Sequence, residues 1–326
     1  MSPQTGERYR AAMPVDTRVT RMLGIDAPII SAPMGWVARP ELVAAVSEAG
    51  GMGLVPGSLP VDQVREDIAR TQDLTDRPIG VNIPLAFAKD PAVVDAVVDA
   101  GIRFVTTSAG SPDRYTPLLK DAGLTVFHVV PTLAAARRAV DAGVDGLVVE
   151  GVEGAGFKSP HEVAAMVLLP LVTRAVDVPV VAAGGIVDGA SLLAAFALGA
   201  EGAQMGTRML ASAESAVHAN VKDAVLRATE TDTVLLNRER RRPMRVLRTD
   251  LVAAAEADPD RDPTPLLGRV LETYRDGDLE ASLQQLGQVA GRIDEVIPAA
   301  EIVARTMAEF EHLLGTLAAR HLPVPA

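Results

Sequence analysis

The fold of this chain is decided by residues 178–208, VPVVAAGGIVDGASLLAAFALGAEGAQMGTR. An apolar run ends at Gly184 and Gly185, a helix-like pattern follows, and a second apolar run ends at Gly206 and Thr207. Glycine lets a backbone approach an anion closely, and the N–H groups at a helix start point towards it. Tight turns alone would also explain these glycines. Two such strand ends at this spacing favour a phosphate-binding site.

The same alternation of strand and helix extends towards the N-terminus. Short apolar runs predict strands at residues 27–34, 51–56, 79–83, 104–108, 126–130, 146–150, 179–183 and 202–205. Helical patterns follow them at residues 40–49, 60–71, 91–100, 114–121, 133–142 and 161–176. Endings such as DAG and EAG place glycine just after a helix.

Eight strand-helix units predict an α/β fold, a (β/α)8 TIM barrel. A doubly wound open sheet is the alternative, although no GxGxxG motif opens the first unit. We divide the chain into a mobile leader (1–20), a barrel (21–211 plus 298–326) and an insertion (212–297). The insertion is expected to form a helical lid before the last barrel helix (298–319), with one arginine-rich, strand-like piece at residues 233–247.

Composition excludes several classes of function. The net charge of −11 argues against nucleic-acid binding, and the absence of cysteine excludes disulfides and thiolate catalysis. No signal peptide and no long apolar run are recognisable, so we expect a cytoplasmic protein without membrane contact. The spacing of the five histidines suggests no metal site. We expect a small-molecule substrate and leave a homodimer open.

Six motifs carry a family resemblance that spans nearly the whole chain. They are PIISAPM (28–34), GVNIP (80–84), VVEGVEGAG (148–156), VVAAGGI (180–186), GAEGAQMGTR (199–208) and GQVAGRIDEVIPAAEIV (287–303). The chain resembles the FMN-dependent barrels that include nitronate monooxygenases and the flavin-dependent enoyl-acyl carrier protein reductases. The combination is far more specific than any one motif.

The resemblance implies an FMN cofactor. The implied cofactor-binding residues are Ala32, Pro33, Met34, Asn82, Glu150, Gly184, Gly185, Gln204, Gly206 and Thr207. Residues 32–34 would lie along the isoalloxazine ring, with Asn82 at its pyrimidine side and Gln204 against the flavin. The phosphate would be held by Gly184, Gly185, Gly206 and Thr207. Glu150 would contact the ribityl chain or orient the glycines that follow it. Asn82 has an alternative role as a strand-end cap.

One departure from the family pattern affects the chemistry. Relatives have a histidine, credited as a base, where this chain has Phe157, and a phenyl ring accepts no proton. A second departure is Val129, where relatives often have lysine. The catalytic residue therefore stays unknown, with His128 and His161 as candidates. His218 is a further candidate for contact with phosphate or substrate.

Four functions remain open. The leading one is an oxidoreductase that oxidises alkyl nitronates with dioxygen, since a nitronate is already an anion and needs no base. The alternative is an NAD(P)H-dependent reductase of quinones or enoyl thioesters, in which Arg241, Arg242 or Arg245 grips a phosphate. The basic run at 238–245 could equally form a salt-bridged surface. A flavin protein without turnover and a barrel for another phosphate are the remaining possibilities.

Overall fold

The structure is a computed structural model that describes residues 15–87, 91–258, 260 and 262–321. The strands are β1 (Ile29–Ser31), β2 (Gly53–Pro56), β3 (Ile79–Pro84), β4 (Phe104–Ser108), β5 (Thr125–Val130), β6 (Gly146–Glu150), β7 (Gly156–Phe157), β8 (Val180–Ala183), β9 (Gly202–Met205), β10 (Thr233–Leu236) and β11 (Met244–Leu247).

The helices that precede β8 are α1 (Arg18–Leu23), α2 (Pro40–Glu48), α3 (Val61–Leu74), α4 (Ala92–Asp99), α5 (Thr116–Asp121), α6 (Leu133–Asp141) and α7 (Ala165–Thr173). Those that follow it are α8 (Gly189–Ala197), α9 (Thr207–Leu210), α10 (Ala219–Arg227), α11 (Asp250–Ala257), α12 (Val270–Tyr274) and α13 (Ala299–His321). Short 3-10 helices cover Pro112–Arg114, Thr264–Arg269 and Gln288–Arg292.

Eight parallel strands form a closed barrel. Their order is β1, β9, β8, β6, β5, β4, β3, β2. The two end strands meet where Ile30 bridges Met52, and the Ser31 N–H donates to the Met52 carbonyl at 2.9 Å. The (β/α)8 barrel is therefore confirmed, and the doubly wound open sheet is wrong.

Side chains alternate between two apolar layers, because successive residues of a strand point to opposite faces of the sheet. One layer fills the barrel interior and includes Ile30, Leu54, Phe104, Phe127, Val148 and Val181. The other packs the strands against the helices and includes Val105, Val126, Leu147 and Val149. A strand residue whose two sequence neighbours pack against the helices therefore faces the barrel interior.

The interior layer depends on glycines. Phe104 and Phe127 meet edge to face, with ring centroids 5.3 Å apart. A Cβ at Gly146 would lie 2.4 Å from the Phe127 ring, and one at Gly80 would lie 2.8 Å from the Phe104 ring. Real Cβ atoms do not approach other carbons so closely, so these two positions exclude larger residues.

Helix α1 closes the amino-terminal end of the barrel and corrects the predicted leader. Val19 and Leu23 are buried within the interior layer. Thr17 caps the helix, since its side-chain oxygen accepts from the Thr20 N–H at 3.1 Å. The folded chain therefore includes residues 15–20, and residues 1–14 lie outside the described part.

Two element boundaries differ from the prediction because local hydrogen bonds compete with the periodic pattern. β1 ends at Ser31, since the chain turns at Ala32, whose carbonyl accepts from the Met34 N–H at 3.0 Å. α7 begins at Ala165, where the Glu153 carboxylate accepts the amide N–H at 3.0 Å. The predicted helical start at residue 161 is wrong.

The insertion contains a sheet as well as helices. β10 and β11 form an antiparallel hairpin, and β11 also pairs with β7. The strand-like piece predicted at 233–247 is therefore two strands joined by a turn, with the predicted outer bounds. Asn237 and Arg241, with φ of 65° and 55°, reverse the chain between the two strands.

The chain returns to the barrel after the insertion. Helix α13 packs against α8 and α2, with Phe196 and Phe310 in edge contact at 5.0 Å. Among the described residues, no helix combines the length and apolarity needed to cross a membrane.

We predict that Gly146→Ala destabilises the barrel by about 1–3 kcal/mol, because the added methyl group overpacks the interior against Phe127. Urea unfolding measures the loss. The matched control is Gly315→Ala in α13, where a Cβ meets no atom within 4 Å and where alanine should stabilise the helix by up to about 1 kcal/mol. Equal stabilities of the two variants would contradict the packing argument.

Candidate functional site

Polar side chains, three of them implied for the cofactor, face the barrel interior near the carboxyl ends of their strands. Asn82, Glu150 and Gln204 face inward, because the residues beside them belong to the helix-facing layer. They belong to β3, β6 and β9 respectively. We call this end of the barrel the mouth; it is the end where TIM barrels carry their active sites.

Asn82 is held in place by β4. Its Nδ2 donates to Thr106 Oγ1 at 2.9 Å and to Ser108 Oγ at 3.2 Å. The Ser108 hydroxyl in turn donates to Asn82 Oδ1 at 3.3 Å. The side chain is thus buried and oriented by its neighbour strand rather than acting as a cap of its own strand.

The segment 32–34 lies beside the end of β9. The Ala32 N–H donates to the Met205 carbonyl at 2.9 Å. A Cβ built at Gly206 would lie 3.4 Å from Ala32 Cβ and 3.9 Å from Met34 Sδ. The structure therefore brings the residues implied for the ring and one residue implied for the phosphate to the same place, with Pro33 half-exposed between its neighbours.

The ends of β8 and β9 form a cradle of backbone amides. Gly184 and Gly185 have φ of 89° and 78°, which favours glycine. Within the part of the chain that the structure describes, no protein atom accepts from the amides of residues 184–186 or 206–208. Amides that are left free in this way suit an anion.

Thr207 links the cradle to the insertion. Its Oγ1 accepts from the Gly287 N–H at 3.0 Å. A Cβ at Gly287 would lie 2.9 Å from the Glu153 carbonyl oxygen, and one at Gly184 would lie 3.1 Å from the Gly154 nitrogen. Segments that are distant in sequence therefore touch through backbone alone.

Gln204 carries a buried oxygen without a partner. Its Oε1 is inaccessible to solvent and accepts no hydrogen bond from the described residues. An unpaired buried acceptor costs free energy, so a ligand that donates an N–H would stabilise this site. The free amides of the cradle and this acceptor together fit a ligand that combines a phosphate with a ring N–H.

Lys158 is a site residue that the sequence interpretation missed. It forms a salt bridge with Glu150, and its side chain is only 3% exposed. Both groups line a small cavity with Pro131 and Ser159. The pair closes residues 151–156, which we call the glycine loop. A charged residue two positions after the glycine-rich motif was the available signal.

The candidate histidines do not face the interior. His128 lies between helix-facing Val126 and Val130, and its Nδ1 lies 2.7 Å from Thr107 Oγ1. Burial lowers the pKa of His128 to about 4. Val129, not His128, packs against the interior layer. The structure therefore directs the His128 side chain away from the barrel interior.

The other two candidates have different positions. His161 is exposed in the segment between β7 and α7, and not at a helix start. His218 caps α10, since its Nδ1 accepts from the Asn220 N–H at 3.1 Å. Among residues that the structure describes, no group of three or more acidic or histidine side chains is arranged to hold a metal ion.

Phe157 is half-exposed at the mouth and contacts Phe87. Their ring centroids lie 5.6 Å apart, and the exposed fractions are 38% and 51%. Phe87 follows β3, whereas Phe157 ends β7. The position expected to carry a base therefore carries one half of an aromatic contact.

Within the described residues, three arginines of the hairpin form hydrogen bonds or salt bridges through their side chains, and two do not. Arg245 is buried and donates to the Val152 carbonyl at 2.8 Å, so it is structural. Arg238 pairs with Glu162 at 2.7 Å, and Arg240 bonds the Asp260 carbonyl. Arg241 and Arg242 are exposed, and neither guanidinium forms a hydrogen bond or a salt bridge with the described residues, although Arg242 lies within electrostatic reach of Asp262.

Comparisons with known proteins show which proteins this chain resembles in sequence and fold. The family model described as nitronate monooxygenase matches residues 16–95 and 88–309. Nitronate monooxygenase of Paraburkholderia phytofirmans is 30% identical over 97% of this chain and 99% of its own.

Two further proteins are similar. One is (3aS,4S,5R,7aS)-5-hydroxy-7a-methyl-1-oxo-octahydro-1H-indene-4-carboxyl-CoA dehydrogenase of Rhodococcus jostii, which is 38% identical over 74% of this chain and 68% of that protein. The other is the solved structure of FabK from Thermotoga maritima, with a TM-score of 0.88 and 39% identity over 94% of this chain and 99% of that one.

We predict that His128 makes stability depend on pH. Its pKa in the folded chain, about 4, lies below the value of about 6.5 expected on unfolding. Protons therefore bind the unfolded chain first, and stability that is complete above pH 6.5 falls towards pH 4, by about 2 kcal/mol between pH 7 and pH 5.

Urea unfolding of the wild type and of His128→Gln at both pH values measures this contribution. The variant should lack the decrease that comes from His128. His312→Gln, at an exposed position of α13, is the control and should keep it. An unchanged pH dependence in His128→Gln would show that the imidazole titrates normally.

Proposed function

The chain belongs to the nitronate monooxygenase family, and we propose that it is an FMN-dependent oxidoreductase that oxidises alkyl nitronates with dioxygen. The observation that carries this proposal is the lack of an imidazole among the interior strand-end residues that the structure describes. Phe157 is at the expected position of the base, and His128 points into the helix-facing layer. A substrate that is already an anion needs no proton removed.

The residues of the mouth fit FMN. Amides of residues 184–186 and 206–208 would bind the phosphate, and Gln204 Oε1 would accept a ring N–H. Residues 32–34 and Asn82 would border the ring. When bound, FMN supplies the transfer of electrons between the donor and the acceptor.

The charges near the mouth suit an anionic donor. Lys158 is neutralised by Glu150. Among the described residues, Arg241 and Arg242 are exposed guanidinium groups without a hydrogen bond or salt bridge, with Asp262 as the acidic group near Arg242, and they belong to the hairpin that holds Phe157. They would attract an anion over several ångströms and orient it towards the strand ends.

A second candidate is oxidoreduction of a CoA or acyl carrier thioester, with NAD(P)H as the partner for reduction. The observation that favours it is the same pair of arginines, because a guanidinium binds phosphate well. The Rhodococcus relative is named a carboxyl-CoA dehydrogenase. The second candidate predicts that Arg241 and Arg242 contact a phosphate of the substrate.

Anaerobic stopped-flow absorbance separates the two candidates. The purified protein, loaded with FMN, is mixed with propionate 3-nitronate, neutral nitroethane, NADH or NADPH. We expect fast bleaching of the flavin with the nitronate and slow bleaching with nitroethane. Fast bleaching by a nicotinamide alone would instead support the reductase.

The substitution Phe157→His sharpens this test, because it returns an imidazole to the mouth. We expect the ratio of nitroethane to nitronate bleaching rates to rise by about 100-fold, the usual contribution of a positioned base. Phe157→Leu is the control and should leave the ratio low. An unchanged ratio in the histidine variant would contradict the assignment of this position to proton removal.

We predict that Gly206→Asp weakens FMN binding. A carboxylate beside the cradle repels the phosphate by about 1–4 kcal/mol at a separation of about 4 Å, which lowers affinity about 5- to 1,000-fold. Gly206→Ala is the matched control, because its Cβ meets Ala32 Cβ at an ordinary 3.4 Å. Isothermal titration with FMN measures the affinity of both variants. Equal affinities would contradict the assignment of the cradle to the phosphate.

A further inference from the structure

Phe87 and Phe157 form a contact that crosses the mouth of the barrel. Phe87 lies in the loop after β3, and Phe157 follows the glycine loop after β6. In the barrel order, β4 and β5 stand between these two strands. The ring contact, at 5.6 Å between centroids, therefore spans the ends of two intervening strands. We call these two residues the aromatic pair.

The backbone on both sides of the pair is fixed. Phe157 pairs with Met244 in the hairpin, and the next amide, of Lys158, donates to the Pro243 carbonyl at 2.8 Å. On the other side, the Phe87 N–H donates to the Pro84 carbonyl at 2.8 Å. The rings are thus held at the mouth by anchored loops. This lowers the entropic cost of ordering the two loops when a ligand binds.

The aromatic pair nevertheless leaves much apolar surface in water. Phe157 is 38% exposed and Phe87 is 51% exposed. Single exposed apolar residues are common, but two exposed rings from different loops that meet each other form a patch typical of ligand contact. The polar residues at the bases of the two loops, Asn82 and Glu150, face the interior below them.

We propose that the aromatic pair is a specificity-determining contact for a hydrocarbon chain or ring attached to the reacting group of the substrate. This inference rests on the proposed function and adds its substrate class: nitronates with extended apolar substituents are preferred to those of one or two carbons. The anionic group lies towards the strand ends, and the apolar substituent covers the exposed faces of the two rings.

Binding of unreactive analogues tests the pair without turnover. Linear carboxylates from propanoate to decanoate share a planar anion with the nitronates. Isothermal titration measures their affinity for the protein, both as purified and after loading with FMN. For the wild type we expect affinity to rise about two- to fourfold per added methylene, the increment for partial to full burial of a CH2 group.

Variants assign that dependence to the two rings. Phe87→Ala and Phe157→Ala should each flatten the rise with chain length, whereas Phe157→Leu, which keeps an apolar side chain, should retain most of it. Leu314→Ala is the matched control, because Leu314 is 51% exposed on α13 and lies on a different element. It should keep the wild-type chain-length dependence.

The inference is overturned if the wild type shows no rise with chain length, or if both alanine variants keep it. The proposed function fails separately. A chain-length dependence without bleaching by any nitronate would reject nitronate oxidation while keeping the apolar contact. Bleaching by nitronates without a chain-length dependence would keep the reaction and reject the contact.

Discussion

The site depends on close backbone contact between segments that have no room for side chains. Gly184 lies against the glycine loop, and Gly287 of the insertion lies against the Glu153 carbonyl and bonds Thr207. Because the parallel strands all end at the mouth, these segments converge there. A methyl group at the wrong position would separate the loops and disperse the free amides. The Glu150–Lys158 salt bridge holds the same loop from its other side.

The sequence predicts the barrel well, because its signal is periodic. Buried runs followed by helical patterns recur eight times, and most strand bounds agree with the structure to within about two residues. The elements that were wrong depend on other interactions. α1 has only six residues. Its apolar residues Val19 and Leu23 are buried because they cover the amino-terminal end of the barrel interior. The start of α7 is decided by a carboxylate twelve residues earlier.

The site was predictable where motifs and strand ends coincide. The structure brings Ala32, Gly206 and Met34 together, and their roles towards a cofactor stay predictions. The orientation of His128 was not predictable, since placement on a strand does not say which face a side chain occupies. Lys158 and Phe87 lie in aperiodic loops, so only three-dimensional contact reveals them. The roles of Asn82, Gln204 and the cradle glycines towards FMN stay predictions.

The attachment of Phe157 to the hairpin has an evolutionary consequence. β7 belongs to a barrel loop, yet its pairing partner β11 belongs to the insertion. Mutations that lengthen, shorten or tilt the hairpin can therefore reposition one wall of the mouth while the eight-stranded core and the cradle remain unchanged. Divergence of substrate preference and conservation of the cofactor site can proceed independently in such an architecture, with the hairpin as the adjustable module.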